Sequence, residues 1–205
     1  MNGKDIRTAI ITLLMLLLVA PAGLQAFQPM SKDSSSIRKL LEQRDREIKE
    51  LMGPKGTEYT QEQRDKLKDI INNIVDYRAM AEYALQTTYD TLTTQERNEF
   101  VDLFSNIVRD QSMNKLDIYR AKVTYKKIDV TGDSAFVKTM AQLEDVRTPV
   151  NYNMKFENGQ WYINDLIIDD VSTAASYRRS FQNVIRKKGY DALVQNLRKR
   201  AERAS

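Results

Sequence analysis

The side chains in this sequence best placed for acid–base or metal chemistry are Asp165, Asp169 and Asp170. Two carboxylates held close together can divide acid and base roles, and clustered carboxylates can begin a calcium site. A calcium loop needs denser oxygen spacing than these positions offer. They sit at the end of an apolar run, so the plainer reading is a strand exit followed by a helix cap. Elsewhere the chemistry is bounded by absences. The chain has no histidine and no cysteine, which removes Ser-His-Asp triads, Cys-His pairs, histidine metal ligands and histidine proton shuttles. It has no glycine-rich phosphate loop. Carboxylate, lysine, tyrosine and serine chemistry remains, and no spacing organises it. The sequence reads as that of a protein that binds rather than catalyses, with no cofactor and no metal.

The apolar side chains carry more pattern. Val150, Tyr152, Met154 and Phe156 alternate with Asn151, Asn153, Lys155 and Glu157, as a strand with one dry and one wet face does. Asn158-Gly159 is a preferred hairpin turn, and Trp161 and Ile163 follow on the return strand. Two earlier strands cover 121–130 and 134–142, joined at Gly132. A parity slip at Lys126-Lys127 predicts a bulge. The phase of the fourth strand stays open, because Leu166 and Ile168 are apolar on the opposite parity.

Helical spacing brackets these strands. Ile37, Leu40, Leu41, Ile48 and Leu51 mark a first helix that Gly53-Pro54 stops. Thr60 with Gln63, and Thr93 with Glu96, have capping-box spacing. Asp76 is placed to cap a helix that carries Tyr77, Met80 and Ala84, and Phe104 and Val108 lie on the apolar face of the next. After Ser172 helix returns, with Tyr177 and Phe181 on one side, and a last helix carries Leu193 and Leu197. Helices, a four-stranded antiparallel meander, then helices make an α+β domain with helices over one face of the sheet. Any one of these Met and aromatic residues is core on its own terms. Together they can also line a cavity, since Met adapts to varied ligands.

The 205 residues fit one domain. Ala9 to Ala20 is an apolar run behind Lys4 and Arg7, and Ala26 suits a cleavage site, so 1–26 reads as a signal peptide. An uncleaved anchor is the rival. Residues 27–36 are polar and Ser-rich and read as a flexible linker, 37–197 as the domain, and 198–205 as a disordered basic tail. A net charge of +4 is mild and lacks the basic stripe of a nucleic-acid binder. The basic run Arg186-Lys187-Lys188, with Arg178-Arg179, suits either a solvated helix end or an anionic partner.

Two stretches resemble a known family. Ile74-Val75-Asp76-Tyr77-Arg78-Ala79-Met80-Ala81, followed by Ala84-Leu85 and by Leu92-Thr93-Thr94-Gln95-Glu96-Arg97 through Phe100 to Leu103-Phe104, is similar to one MlaC-family motif. Asn158-Gly159-Gln160-Trp161 through Asp169-Asp170-Val171-Ser172, with Tyr177-Arg178, Phe181 and Gly189-Tyr190-Asp191-Ala192-Leu193, is similar to a second. Thr94 stands where that family usually has proline, Gln86 and Tyr89 where it commonly has glycine and tryptophan, and Asp170 where it has glycine. The resemblance implies helices on a curved sheet around an NTF2-like cavity that takes phospholipid acyl chains. It implies a periplasmic carrier, with an inner-membrane MCE-domain transporter complex and an outer-membrane lipoprotein complex as partners. The residues above that would line the cavity are Tyr77, Met80, Ala84, Phe104 and Val108 from the first helices, then Val150, Tyr152, Met154 and Phe156 from the third strand. Trp161 and Ile163, and Tyr177 and Phe181 from the penultimate helix, complete the set. A small-molecule enzyme on an NTF2-like fold and a non-catalytic interaction module are the alternatives.

Overall fold

The computed structural model describes residues 29–56, 58–113 and 116–204. The signal peptide expected over 1–26 lies outside the described residues. In chain order the elements are α1 (Ser34–Met52), α2 (Gln61–Asn72), α3 (Tyr77–Leu85), α4 (Thr87–Thr91) and α5 (Thr94–Met113). A 3-10 turn (Leu116–Arg120) leads into β1 (Lys122–Thr131), β2 (Ser134–Leu143), β3 (Val146–Glu157), β4 (Gln160–Ile168) and β5 (Val171–Ser172). The chain closes with α6 (Thr173–Lys188) and α7 (Tyr190–Ala204). The sheet is open and antiparallel, in the order β1-β2-β3-β4-β5.

The helices start where their caps predict. Thr60 and Gln63 form a complete capping box. The Glu96 carboxylate accepts from the Thr93 N–H and Thr93 Oγ1 from the Glu96 N–H, which puts Thr94 at the first helical position, where proline is tolerated best. Asp76 accepts from the Ala79 N–H at 2.8 Å. The segment before it adds a short parallel bridge to the sheet, Val75 beside Ile163. Asp76 donates to the Ile163 carbonyl at 2.8 Å, and Ile163 donates to that of Ile74 at 2.7 Å.

Three expectations need correction. The sheet has five strands rather than four. After Ile168 the chain reverses on Asp169 and Asp170, both at positive φ (50° and 61°), so Val171 and Ser172 pair back onto β4 before α6 begins. Aspartate tolerates this backbone better than most residues. Second, the linker is shorter than composition suggests. Asp33 caps α1 at Ser34, Met30 donates to the Gly159 carbonyl at 2.7 Å, and Trp161 Nε1 donates to that of Ser31 at 3.2 Å. This strap fastens the amino end of the described chain to the β3–β4 hairpin. Third, α7 continues through Arg198, which bonds to Glu99, instead of fraying there.

Two bulges set the faces of the sheet. The first, between Tyr125 and Lys127, falls where the parity slip predicts it. The second lies at the Asn153/Met154 step of the β3–β4 ladder. Residues directly opposite on paired strands share a face, so one face carries Tyr125, Thr139, Val150 and Ile168 in one row. The next rows hold Ile128, Val137, Tyr152 and Leu166, then Val130, Ala135, Met154 and Ile163. The second bulge resolves the open parity: Ile163 and Leu166 both face inward.

The core falls into three clusters. Ile37 and Leu41 of α1 pack on Ala135, Val137, Met154, Trp161 and Ile163. Ile48 and Met52 pack on Leu67 of α2. The third is helical and joins α3, α5, α6 and α7 around Phe100, Phe104 and Phe181, with Val75 touching both it and the sheet cluster.

Candidate functional site

The structure divides the residues expected to line a cavity between two of these clusters. Tyr77, Met80, Ala84, Phe104 and Phe181 are buried in the helical one, with Val108 and Tyr177 partly buried against it. Phe104 meets Tyr177 and Phe181 edge-on, with centroids at 4.9 and 5.6 Å, a favoured aromatic geometry. The Gln182 amide donates to the Ala84 and Leu85 carbonyls at 3.1 and 2.8 Å. Gln86 then turns the chain with φ 53° and ψ −137°, a backbone that favours glycine. Tyr89 is buried, and the Arg97 guanidinium lies 4.8 Å from its ring centroid.

Met154, Trp161 and Ile163 are buried in the sheet cluster, with Tyr152 and Phe156 half-buried against it. Val150 belongs to neither core and is half-buried on the inward face, between Thr139 and Ile168. The helices approach the sheet on its flanks: α1 lies on β1, and α3 and α6 lie on β4. Between those flanks Ala135, Val137, Thr139 and Ala141 on the inward face of β2 are buried, with Ile37 and Leu41 of α1 packed over part of it. Tyr125 of β1, Val150 and Tyr152 of β3, and Leu166 and Ile168 of β4 are half-buried on the same face.

Electrostatics mark the same place. Burial pushes the Tyr152 phenol up to about 12, with a hydrogen bond from Thr139 working the other way. Burial also raises the Tyr77 and Tyr125 hydroxyls. Smaller electrostatic contributions come from Tyr119 at Tyr77 and Tyr152, and from Tyr152 at Tyr125. Tyr77 belongs to the helical cluster, Tyr125 and Tyr152 pack against the sheet cluster, and Tyr119 packs against the cluster of Ile48, Met52 and Leu67. Arg109 lies 5.8 Å from the Tyr77 ring centroid and donates to Asn72 Oδ1 at 3.0 Å. Tyr119, Tyr125, Arg109, Leu166 and Ile168 are the residues that sequence reasoning missed. The first bulge was the available signal for Tyr125; Arg109 and Tyr119 carry none.

An enclosed NTF2-like cavity is not shown. An open depression of about 470 Å³ lies at β1 and the start of α1, lined by Lys32, Asp33, Ser34, Ile128, Val130 and Gly132. Among the described residues no group of three or more carboxylates is placed to hold a metal ion. Asp165 is spent on structure: it accepts from the Ser172 hydroxyl at 2.6 Å and the Ala174 N–H at 2.9 Å, holding the start of α6. Among the described residues no helix is long and apolar enough to cross a membrane.

The family model described as MlaC protein matches residues 31–199. No curated protein matches the chain. Among solved structures, the phospholipid-binding protein of Ralstonia solanacearum, in complex with a phospholipid, superposes with a TM-score of 0.71. It has 18% sequence identity, and the match covers 85% of this chain and 99% of that one. At that identity the likeness carries the fold.

Proposed function

Because the chain belongs to the MlaC family, we propose that it binds phospholipid, holding acyl chains against the half-buried inward residues of β3 and β4. The observation that carries this reading is the cleft itself. Val150 and Ile168, and Tyr152 and Leu166, stand opposite one another on the inward face and are only half-buried, while the helical core beside them is packed. The phospholipid in the Ralstonia relative favours the same ligand class. The reading extends to a periplasmic carrier that moves lipid between an outer-membrane lipoprotein complex and an inner-membrane MCE-domain transporter complex.

The physics asks for shielding and little else. Burying a methylene contributes about 0.8 kcal/mol, so exposing roughly 30 of them from two acyl chains costs on the order of 24 kcal/mol. A carrier has to cover most of that length, yet it need not outbid the bilayer. Tails in a dry cleft and tails in a membrane have similar surroundings, so transfer runs near neutral and the partners set direction. No catalytic group is required, in keeping with a chain without histidine or cysteine. A phospholipid with a photoactivatable acyl chain tests the location. Crosslinks are expected on β3 and β4 peptides containing Val150, Tyr152 and Ile168. Crosslinks confined to the open depression near Lys32 would overturn it.

A further inference from the structure

We propose that the outward face of β1–β3 is a docking surface for an anionic membrane. Ladder partners share a face, so this side of the three strands carries Lys122, Lys127, Lys138, Arg147 and Lys155, all exposed. The carboxylates sharing it are Asp129, which pairs with Lys127 at 2.7 Å, and Glu157. Lys127 and Lys138 stand directly opposite one another, and like charges so placed cost stability. Lysines on an edge strand guard against sheet-to-sheet pairing. That explains Lys122 and Lys127 on β1 and leaves Lys138 and Lys155, on the interior strands β2 and β3, without a structural purpose.

The residues between the cations are apolar. Phe136, Met140 and Pro149 lie on this face half-buried, and the Lys138 ammonium sits 5.7 Å from the Phe136 ring centroid. Lysine predominates over arginine here. Protein interfaces are depleted in lysine and enriched in arginine, whose planar fork matches fixed carboxylates. A lysine is a point charge on a flexible stem, suited to a surface whose anionic groups are many and move laterally. A bilayer bearing anionic headgroups is therefore the occupant this face fits, in preference to an acidic protein.

Docking here is independent of the lipid held on the inward face, and the two readings fail separately. The probe is vesicles of phosphatidylglycerol with phosphatidylcholine, against phosphatidylcholine alone, read by co-sedimentation. Each lysine near such a surface contributes roughly a fivefold factor in partitioning, so the Lys122→Gln/Lys138→Gln/Lys155→Gln variant should partition about a hundredfold less. Wild-type binding should weaken as salt is raised, and phosphatidylcholine alone should bind little. The Arg186→Gln/Lys187→Gln/Lys188→Gln variant should bind as wild type does, and both variants should keep any co-purified phospholipid. Undiminished vesicle binding by the lysine variant, loss of binding in the α6 variant, salt-independent binding, or binding to an acidic protein with none to anionic vesicles would each overturn the proposal. Absence of co-purified lipid with lysine-dependent vesicle binding intact would instead count against the acyl-chain reading alone.

Discussion

Two tryptophan substitutions separate a ligand cleft from a packed core. Ala84 is 0% exposed in the helical cluster, and its carbonyl is held by Gln182. An indole there must displace its neighbours. Overpacking by a few methylenes typically costs about 1–3 kcal/mol, and a whole indole should cost at least about 3 kcal/mol by that scale. Each kcal/mol moves Tm by about 2–4 °C in a domain of this size, so Ala84→Trp should lower Tm by roughly 6 °C or more. Val150 lies on the partly covered inward face, beside Thr139 and Ile168. Val150→Trp grows into the cleft, keeps a good strand former, and should cost less than about 1 kcal/mol because no closed packing is broken. Its effect should fall on ligand. The assays are thermal unfolding and quantitative lipid extraction on the same preparations. The reasoning fails if Val150→Trp destabilises as much as Ala84→Trp while bound phospholipid is unchanged.

Other substitutions probe the frame around the cleft. Asp165→Ala removes the acceptor for Ser172 and Ala174 at the start of α6; hydrogen bonds to a charged group contribute about 1.5–3 kcal/mol each, so chemical denaturation should show a loss of at least about 2 kcal/mol. Gln86→Gly relieves a non-glycine residue at φ 53° and should stabilise by roughly 1 kcal/mol, seen as a raised denaturation midpoint. Raising pH should unfold the domain through its tyrosines. Tyr152 moves from the ordinary value of 10 to about 12 when folded, so the native state keeps a proton that the unfolded chain releases. Its contribution is intact below pH 10 and is lost as pH climbs toward 12. Phenolate absorbance and circular dichroism should change together over that range, and Tyr152→Phe should make the loss shallower.

Much of the fold could be read from local chemistry, because caps, turns and alternation are short-range signals. Thr60/Gln63, Thr93/Glu96 and Asp76 mark helix starts, Asn158-Gly159 marks a hairpin with φ 49° and 85°, and the Lys126-Lys127 slip marks a bulge. The second bulge left only an ambiguity, since the inserted residue is recognisable once the β3–β4 ladder is known. The family's glycine in place of Gln86, and its proline in place of Thr94, acquire physical reasons from the backbone: a positive φ and a first helical turn. The site was less legible. Periodicity tells which side chains point inward, and Met80, Ala84, Met154 and Trp161 do so as packed core. Which inward surface stays uncovered depends on where α1, α3 and α6 come to rest, a tertiary outcome that no strand or helix period encodes.

Native mass spectrometry of the untagged protein, followed by lipid extraction, tests the central claim most directly. The phospholipid reading predicts a folded species heavier than the polypeptide by the mass of a phospholipid, with the same lipid recovered in organic solvent. It also predicts that Val150→Trp shifts the population toward the bare mass at near-normal Tm. A wild-type protein that is uniformly lipid-free, and stays so after incubation with phospholipid vesicles, would contradict it.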